Sequence, residues 1–277
     1  MRDFSGCILA CDVDGTLVSG DILPKENIIK IAEFTRLGGI FSLATGRSIG
    51  ALGAVLSELE RYIGPSVVAN GCMIYDFKEG KILGEKTIPD SAKIAVFEAS
   101  GKFDQIGIEI HSAERTFIFK DHDEVRDHQS YEGLNGKVAG KSEVAELKWN
   151  KALFASPNEQ RLSQVDEFFE KNCKEARCVP TNADIYGRIR HYREILPLGV
   201  NKASTLSELC KMLGIKKGGF FAIGDYFNDI QMLSAADISA CPEGSPDEVK
   251  EQCDFMAKKA SDGAVADFID YLMSKEI

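Results

Sequence analysis

Short apolar runs that end in polar residues and are followed by helical periodicity recur along this chain, and they constrain its fold more than any other feature. Ile8-Leu9-Ala10-Cys11 leads into Asp12-Val13-Asp14-Gly15-Thr16, and Ile40-Phe41-Ser42-Leu43-Ala44 into Thr45-Gly46-Arg47-Ser48. Ser66-Val67-Val68-Ala69 ends at Asn70-Gly71, and Gly219-Phe220-Phe221-Ala222-Ile223 at Gly224-Asp225. Helical patterns cover residues 24–36, 49–59 and 201–213, and another starts at Ile230. Strands alternating with helices predict βαβ units and a parallel sheet, and such sheets bind ligands at the carboxyl ends of their strands. Asp12, Thr45 and Asn70 all fall at predicted strand C-termini.

From about residue 85 to 192 the texture changes. Strand-like runs at 106–110 and 116–119 precede a charged segment at 121–127; a strand at 151–155, a helix at 158–172 and short strands at 177–179 and 185–189 follow. This is an α+β layout, read as a second domain inserted into the first. The expected fold is α/β: a Rossmann-like parallel-sheet core made of residues 1–84 and 193–277, with residues 85–192 as the insertion. Within the core, residues 73–77 and 81–87 flank Lys78-Glu79-Gly80 like a small hairpin. A strand at 237–240 and helices near 246–252 and 262–273 close the chain.

Composition narrows the function classes. With 277 residues, 44% hydrophobic and 27% charged, the chain is ample for a large core. A net charge of −10 and a pI near 5.1 argue against a duplex-binding surface, so no nucleic-acid partner is expected. The N-terminus lacks signal-peptide organisation and no apolar run is long enough to span a bilayer, which predicts a cytoplasmic protein with no membrane partner. The eight cysteines are scattered and form no Cys-x-x-Cys, so free thiols are expected and a structural zinc site is not. No Walker-type Gly-rich loop occurs.

The chemistry concentrates in a few positions. Asp12 and Asp14 share one side of the chain if extended geometry persists through Val13, and two such carboxylates repel unless a cation compensates them or one stays protonated. A solvated Asp-Gly turn is the alternative. Together with Thr45, Lys202, Asp225, Asn228 and Asp229 the pair specifies phosphoryl transfer. Carboxylates and oxygen ligands suit a hard Mg²⁺ ion, with Asp12 and Asp225 supplying carboxylates and Asp14 a backbone carbonyl. A hydroxyl at Thr45 and a cation at Lys202 suit phosphoryl oxygens. Singly, Thr45 is also a helix cap, Lys202 a solvated first-turn lysine and Asp229 an acid near a helix N-terminus.

Asp12-Val13-Asp14-Gly15-Thr16, Thr45-Gly46-Arg47, Lys202 and Gly224-Asp225-Tyr226-Phe227-Asn228-Asp229 resemble, in order, the four motifs of the haloacid dehalogenase superfamily. Val68-Ala69-Asn70-Gly71-Cys72-Met73-Ile74-Tyr75-Asp76 and the large insertion resemble its Cof-type subfamily, whose cap is of the C2B type. The resemblance implies a Mg²⁺-dependent phosphatase acting on a small phosphorylated metabolite, such as a sugar phosphate. Asp12 is then the nucleophile and forms an aspartyl-phosphate, Asp14 the general acid and base, and Thr45 and Lys202 catalytic phosphate binders. Gly46, Arg47 and Asn228 complete the substrate-binding set; Asp12, Asp14 and Asp225 hold the metal, and Asp229 supports Lys202 or metal-bound water. A phosphomutase, a receiver-type signalling domain and a non-catalytic metabolite-binding protein are the alternatives. Arg188, Arg190, His191 and Arg193 form a basic patch in the insertion, read as a solvated strand face or a recognition surface. Cys241-Pro242-Glu243-Gly244-Ser245 departs from the Met-Gly-Asn-Ala-like stretch common in Cof-type relatives. His111 and His122 carry no assigned role.

Overall fold

The computed structural model describes residues 3–20, 22–113, 115–185 and 188–275. Met1 and Arg2, at the N-terminus expected to lack a signal segment, and Tyr186 and Gly187, in the expected strand at 185–189, lie outside the described residues. The chain forms two compact units, one of residues 1–46, 52–84 and 201–277, the other of residues 47–51 and 85–200.

The first unit opens with β1 (Ile8–Cys11), whose four residues are all buried. Pro24 holds φ at −60°, a value pre-set for entry into α1 (Lys25–Arg36), which turns Ile31 and Phe34 inward. β2 (Ile40–Leu43) follows, then a 3₁₀ turn and α2 (Gly53–Leu59). β3 (Ser66–Val68), β4 (Met73–Asp76) and β5 (Lys81–Glu85) make a three-stranded sheet.

The second unit contains α3 (Asp90–Lys102), β6 (Gly107–His111), β7 (Thr116–Lys120), α4 (Asp123–Tyr131), β8 (Lys137–Val138) and α5 (Lys141–Val144). β9 (Lys151–Ala155), α6 (Glu159–Asn172), β10 (Ala176–Ile185) and β11 (Arg188–Pro197) complete it. Its sheet runs β10-β11-β9-β6-β7-β8. Side-chain alternation gives this sheet two different faces. Ile108, Ile110, Ala152, Phe154 and Ile195 share an apolar core with residues of α3 and α6. Glu109, Lys151 and Glu194, at alternate positions on the same three strands, are buried and charged.

The chain then returns to the first unit through α7 (Lys202–Leu213), β12 (Phe220–Ile223), α8 (Ile230–Ala235), β13 (Ile238–Pro242), α9 (Asp247–Lys250), β14 (Phe255–Ala257) and α10 (Ala264–Ser274). The main sheet, ordered β14-β13-β12-β1-β2, is parallel throughout. β1 is flanked by β12 and β2 with Cys11 opposite both Ile223 and Leu43, so residues following all three strands emerge side by side.

Several sequence expectations are corrected. α3 was not anticipated because its buried face is built of Ala92, Ala95, Val96 and Ala99, whose small side chains give weak hydrophobic periodicity. The charged segment at 121–127 leads into α4, which buries Glu124, His128 and Gln129 beside Val125. The strands expected at 177–179 and 185–189 belong to one long hairpin, and the boundary expected at Tyr192 falls inside β11. The basic residues of β11 are not one solvated face. Arg190 pairs with Glu124 (2.9 Å) and Asp127 (2.8 Å), whereas Arg193 is buried against Asp166 (2.7 Å); Arg188 is exposed and His191 meets Asn182 (2.8 Å).

Candidate active site

Asp12 follows β1 directly. Its N–H donates to the Ile223 carbonyl (2.9 Å), which continues the sheet ladder by one residue and fixes the carboxylate at the sheet's edge. The residue is only 6% exposed. After it the extended geometry ends. Gly15, Leu17 and Val18 close a tight turn through Gly15 N–H to Val18 O (3.0 Å) and the Leu17 and Val18 N–H groups to Val13 O (both 3.0 Å). Asp14 therefore sits in the turn and is exposed, so the two acids occupy different environments.

Glycine at position 15 is required twice. Its φ is +77°, and a Cβ there would stand 2.4 Å from Asp225 Oδ2. Thr16 is the contact that the sequence reading missed: its hydroxyl donates to Asp225 Oδ1 (3.2 Å), tying the first motif to the last. Nothing in a lone Thr after Gly signals this.

Lys202 opens α7. Asn201 caps that helix, accepting from Ser204 N–H (2.7 Å) while Ser204 Oγ accepts from Asn201 N–H (3.1 Å). Gly71, at φ +95°, lies so close that a Cβ would stand 2.4 Å from the Asn201 carbonyl, and Thr205 donates to Gly71 O (2.7 Å). The Asn70-Gly71 stretch thus seats the start of α7. Lys202 is 2% exposed, which excludes the solvated-lysine reading. Its Nζ reaches Asp12 Oδ1 at 2.6 Å and Asp229 Oδ1 at 2.7 Å.

Asp229 is fully buried, and both of its oxygens are engaged: Oδ1 by Lys202, Oδ2 by the N–H groups of Asp225 and Tyr226 (3.2 Å each). Asp12, Asp225 and Asp229 each place a carboxylate oxygen within 4.8 Å of the others. Burial, reinforced by Asp229 and Asp225, pushes the Asp12 carboxyl well above the usual range against the pull of Lys202. Burial and Asp229 push Asp225 up to about 6. For Lys202, burial alone favours the neutral amine, but Asp12 and Asp229 overcome it and raise the ammonium above its ordinary value.

Three carboxylates against one ammonium leave an excess of negative charge, and hard oxygen donors at this spacing fit Mg²⁺. Because Asp229 is spent on Lys202 and two backbone donors, Asp12 and Asp225 are the carboxylates available to the ion. Thr45, after β2, is buried with its N–H on Val67 O (3.0 Å), and its own carbonyl accepts from Asn70 N–H (3.0 Å). A Cβ on Gly46 would come within 3.1 Å of the Asn70 amide. Arg47 donates to Ala51 O (3.0 Å) inside the second unit, and Asn228 is exposed. Gly46-Arg47-Ser48-Ile49-Gly50 has the spacing of a serine-hydrolase elbow, but Ser48 Oγ is buried without a hydrogen-bond partner, so no base activates it.

The haloacid dehalogenase-like hydrolase family model matches residues 9–269. The chain belongs to this family. It is a Cof-type member and a phosphoric monoester hydrolase. The 5-amino-6-(5-phospho-D-ribitylamino)uracil phosphatase YwtE of Bacillus subtilis is 26% identical to it, covering 96% of this chain and 98% of its own. The HMP-PP phosphatase of Serratia proteamaculans is 24% identical over 82% of this chain and 80% of its own. Among solved structures, the subclass IIB sugar phosphatase BT4131 superposes with a TM-score of 0.82 at 18% identity, covering 96% of this chain and 99% of the other. No helix among the described residues is long and apolar enough to cross a membrane.

Proposed function

We propose that this Cof-type phosphatase hydrolyses a small phosphorylated metabolite, of the sugar-phosphate or phosphorylated-ribityl class, through an aspartyl-phosphate on Asp12. The observation that carries the reading is the buried Asp12 carboxylate held at 2.6 Å by a buried lysine. One oxygen of Asp12 is fixed by Lys202, leaving the other to attack phosphorus. The new O–P bond forms as the ester O–P bond breaks, and Asp14 gives its proton to the leaving oxygen. Exposed in its turn, Asp14 then takes a proton from the water that attacks the phosphorus. The Asp12–phosphorus bond breaks, inorganic phosphate leaves, and Asp12 is restored.

Lys202 has three ammonium protons, of which two bind Asp12 and Asp229; the third is available to an equatorial phosphoryl oxygen. Thr45 and the Gly46 backbone line the same sheet edge as further donors. Asp12 and Asp225, with the Asp14 carbonyl, are the groups that would hold Mg²⁺. When bound, the ion offsets repulsion between the carboxylate and the phosphate, a contribution of several kcal/mol.

The test is hydrolysis of an aryl phosphate with Mg²⁺, followed by a panel of sugar phosphates together with 5-amino-6-(5-phospho-D-ribitylamino)uracil, the compound named for the Bacillus relative. Release of inorganic phosphate that stops in chelator and in Asp12→Asn is expected. Unchanged hydrolysis by Asp12→Asn would overturn the mechanism.

A further inference from the structure

Three consecutive residues after β3 hold left-handed backbone: Ala69 (φ +51°), Asn70 (φ +54°) and Gly71 (φ +95°). Among the described residues Gln105 is the one other non-glycine with positive φ, so two of the three such positions adjoin here. Left-handed backbone is costly for alanine, whose Cβ crowds the following carbonyl oxygen. Strain of this kind persists only where surrounding contacts over-determine it. Here the contacts run both ways. On one side the Asn70 N–H donates to Thr45 O (3.0 Å), and the Asn70 amide lies against Gly46, where a Cβ would stand 3.1 Å from both Nδ2 and Oδ1. The φ of Gly46 is not left-handed, so it is the room taken by this amide, and not the backbone, that requires glycine at position 46. On the other side Gly71 O accepts from Thr205 (2.7 Å), and a Cβ on Gly71 would stand 2.4 Å from the Asn201 carbonyl oxygen, directly before Lys202.

We propose that Asn70 is a positioning residue for phosphoryl transfer: its amide and its left-handed backbone set Thr45 and the Gly46 N–H at one spacing from Lys202, so that both groups of donors meet a single phosphoryl group. The inference rests on the reading that Thr45, Gly46 and Lys202 bind the phosphoryl oxygens. Asparagine suits the position because it enters left-handed backbone more readily than other non-glycine residues and also brings a planar group to pack on Gly46. Each replacement loses a different part of this. Glycine keeps the backbone and drops the amide. Aspartate keeps the backbone and the size but sets a carboxylate beside an anionic substrate. Donors fixed in advance act mainly on the transition state, where the charge of the phosphoryl oxygens is met, so a loosened turn lowers kcat more than it raises KM.

The test is steady-state hydrolysis of an aryl phosphate with Mg²⁺ by the full chain and its Asn70→Gly, Asn70→Asp and Asp12→Asn variants, with kcat referred to the folded fraction read from thermal unfolding. Asn70→Gly is expected to unfold within a few degrees of wild type yet to lose about 10- to 100-fold in kcat, with KM changed by less than about threefold, as misplaced catalytic groups do. Asn70→Asp is expected to keep more of kcat than Asn70→Gly and to raise KM. Adding Gly46→Ala, whose Cβ presses on the amide, lowers kcat in wild type and costs less in the Asn70→Gly background, where that amide is gone. Wild-type kcat in Asn70→Gly, wild-type KM in Asn70→Asp, or losses at positions 46 and 70 that simply multiply would overturn the proposal. Hydrolysis that needs Asp12 but is indifferent to Asn70 overturns this inference alone, whereas hydrolysis unchanged in Asp12→Asn overturns the phosphatase mechanism and this inference with it.

Discussion

The Lys202 ammonium stands 2.6 Å from Asp12 Oδ1 with both side chains buried, and Asp229 holds the same ammonium from the other side at 2.7 Å. Removing one partner of a buried ion pair costs about 3–5 kcal/mol, because the remaining charge keeps its desolvation penalty. Lys202→Met is therefore expected to destabilise the first unit and to lower kcat/KM by at least about 100-fold, since it also removes a donor to the phosphoryl group. Asp229→Asn keeps the lysine but loosens it, so its loss should fall mainly in kcat and be smaller than that of Asp12→Asn. Denaturant unfolding and steady-state kinetics check both. Activity within tenfold of wild type in Lys202→Met would show that this lysine does not serve the reaction.

Gly15 and Asp225 are locked by the 2.4 Å that a Cβ would leave between them. Gly15→Ala forces Asp225 to move and adds a left-handed backbone cost of about 1–2 kcal/mol. Displacing a carboxylate of the proposed ion-binding set is expected to raise the Mg²⁺ concentration for half-maximal activity by about 10- to 100-fold, the range seen when the support of a metal ligand is lost. Titration of activity against Mg²⁺ checks this, and an unchanged midpoint would mean Asp225 does not bind the ion.

The positions of Asp12, Thr45, Lys202 and Asp225 at strand and helix ends were legible because polar residues that interrupt apolar, periodic sequence are conspicuous. The contacts that organise them were not. Thr16 to Asp225 spans 209 residues, and Gly71 against Asn201 is a packing distance that no local pattern encodes. In the second unit, α4 buries polar residues whose partners lie on distant strands: His128 meets Glu109, and Arg190 reaches back to Glu124. Hydropathy reads such residues as surface, because burial is compensated by partners rather than by apolarity.

Asp225 is pushed up to about 6 by burial and by Asp229, so under the proposed metal set a proton would compete with the cation for this carboxylate. Its pKa is raised in the folded protein without Mg²⁺, and protonation is favoured below that value. The Mg²⁺ midpoint should thus be nearly flat from pH 7 to 8 and rise by about tenfold per pH unit below about 6, for one proton displaced. Direct Mg²⁺ binding by calorimetry at pH 5, 6 and 8 checks the sign, and a midpoint independent of pH would remove Asp225 from the set of ligands.

Glu109 accepts from His128 at 2.9 Å and from His111 at 2.9 Å, with all three side chains buried in the second unit. Burial alone favours neutral imidazole, but Glu109, then Glu132, overcome it at His128, against Lys151, and raise its pKa above 6.5. His111 goes the other way: burial, with Lys151 and His128, outweighs Glu109. A histidine with a raised folded pKa contributes stability that is fully present below the unfolded value of 6.5 and is lost as pH rises through the folded value. Glu109 is held far below its ordinary range despite burial, chiefly by His128 and His111, so its contribution is present above about 4.5 and is lost only in strong acid. The difference in Tm between wild type and His128→Gln should therefore be larger at pH 6 than at pH 9. Glu109→Gln, which strands the His128 charge, should cost about 3–5 kcal/mol at pH 6 and less at pH 9, where the imidazole can shed its proton. Thermal unfolding across that range checks the sign, and a His128→Gln difference that grows with pH would show that His128 is neutral in the folded protein.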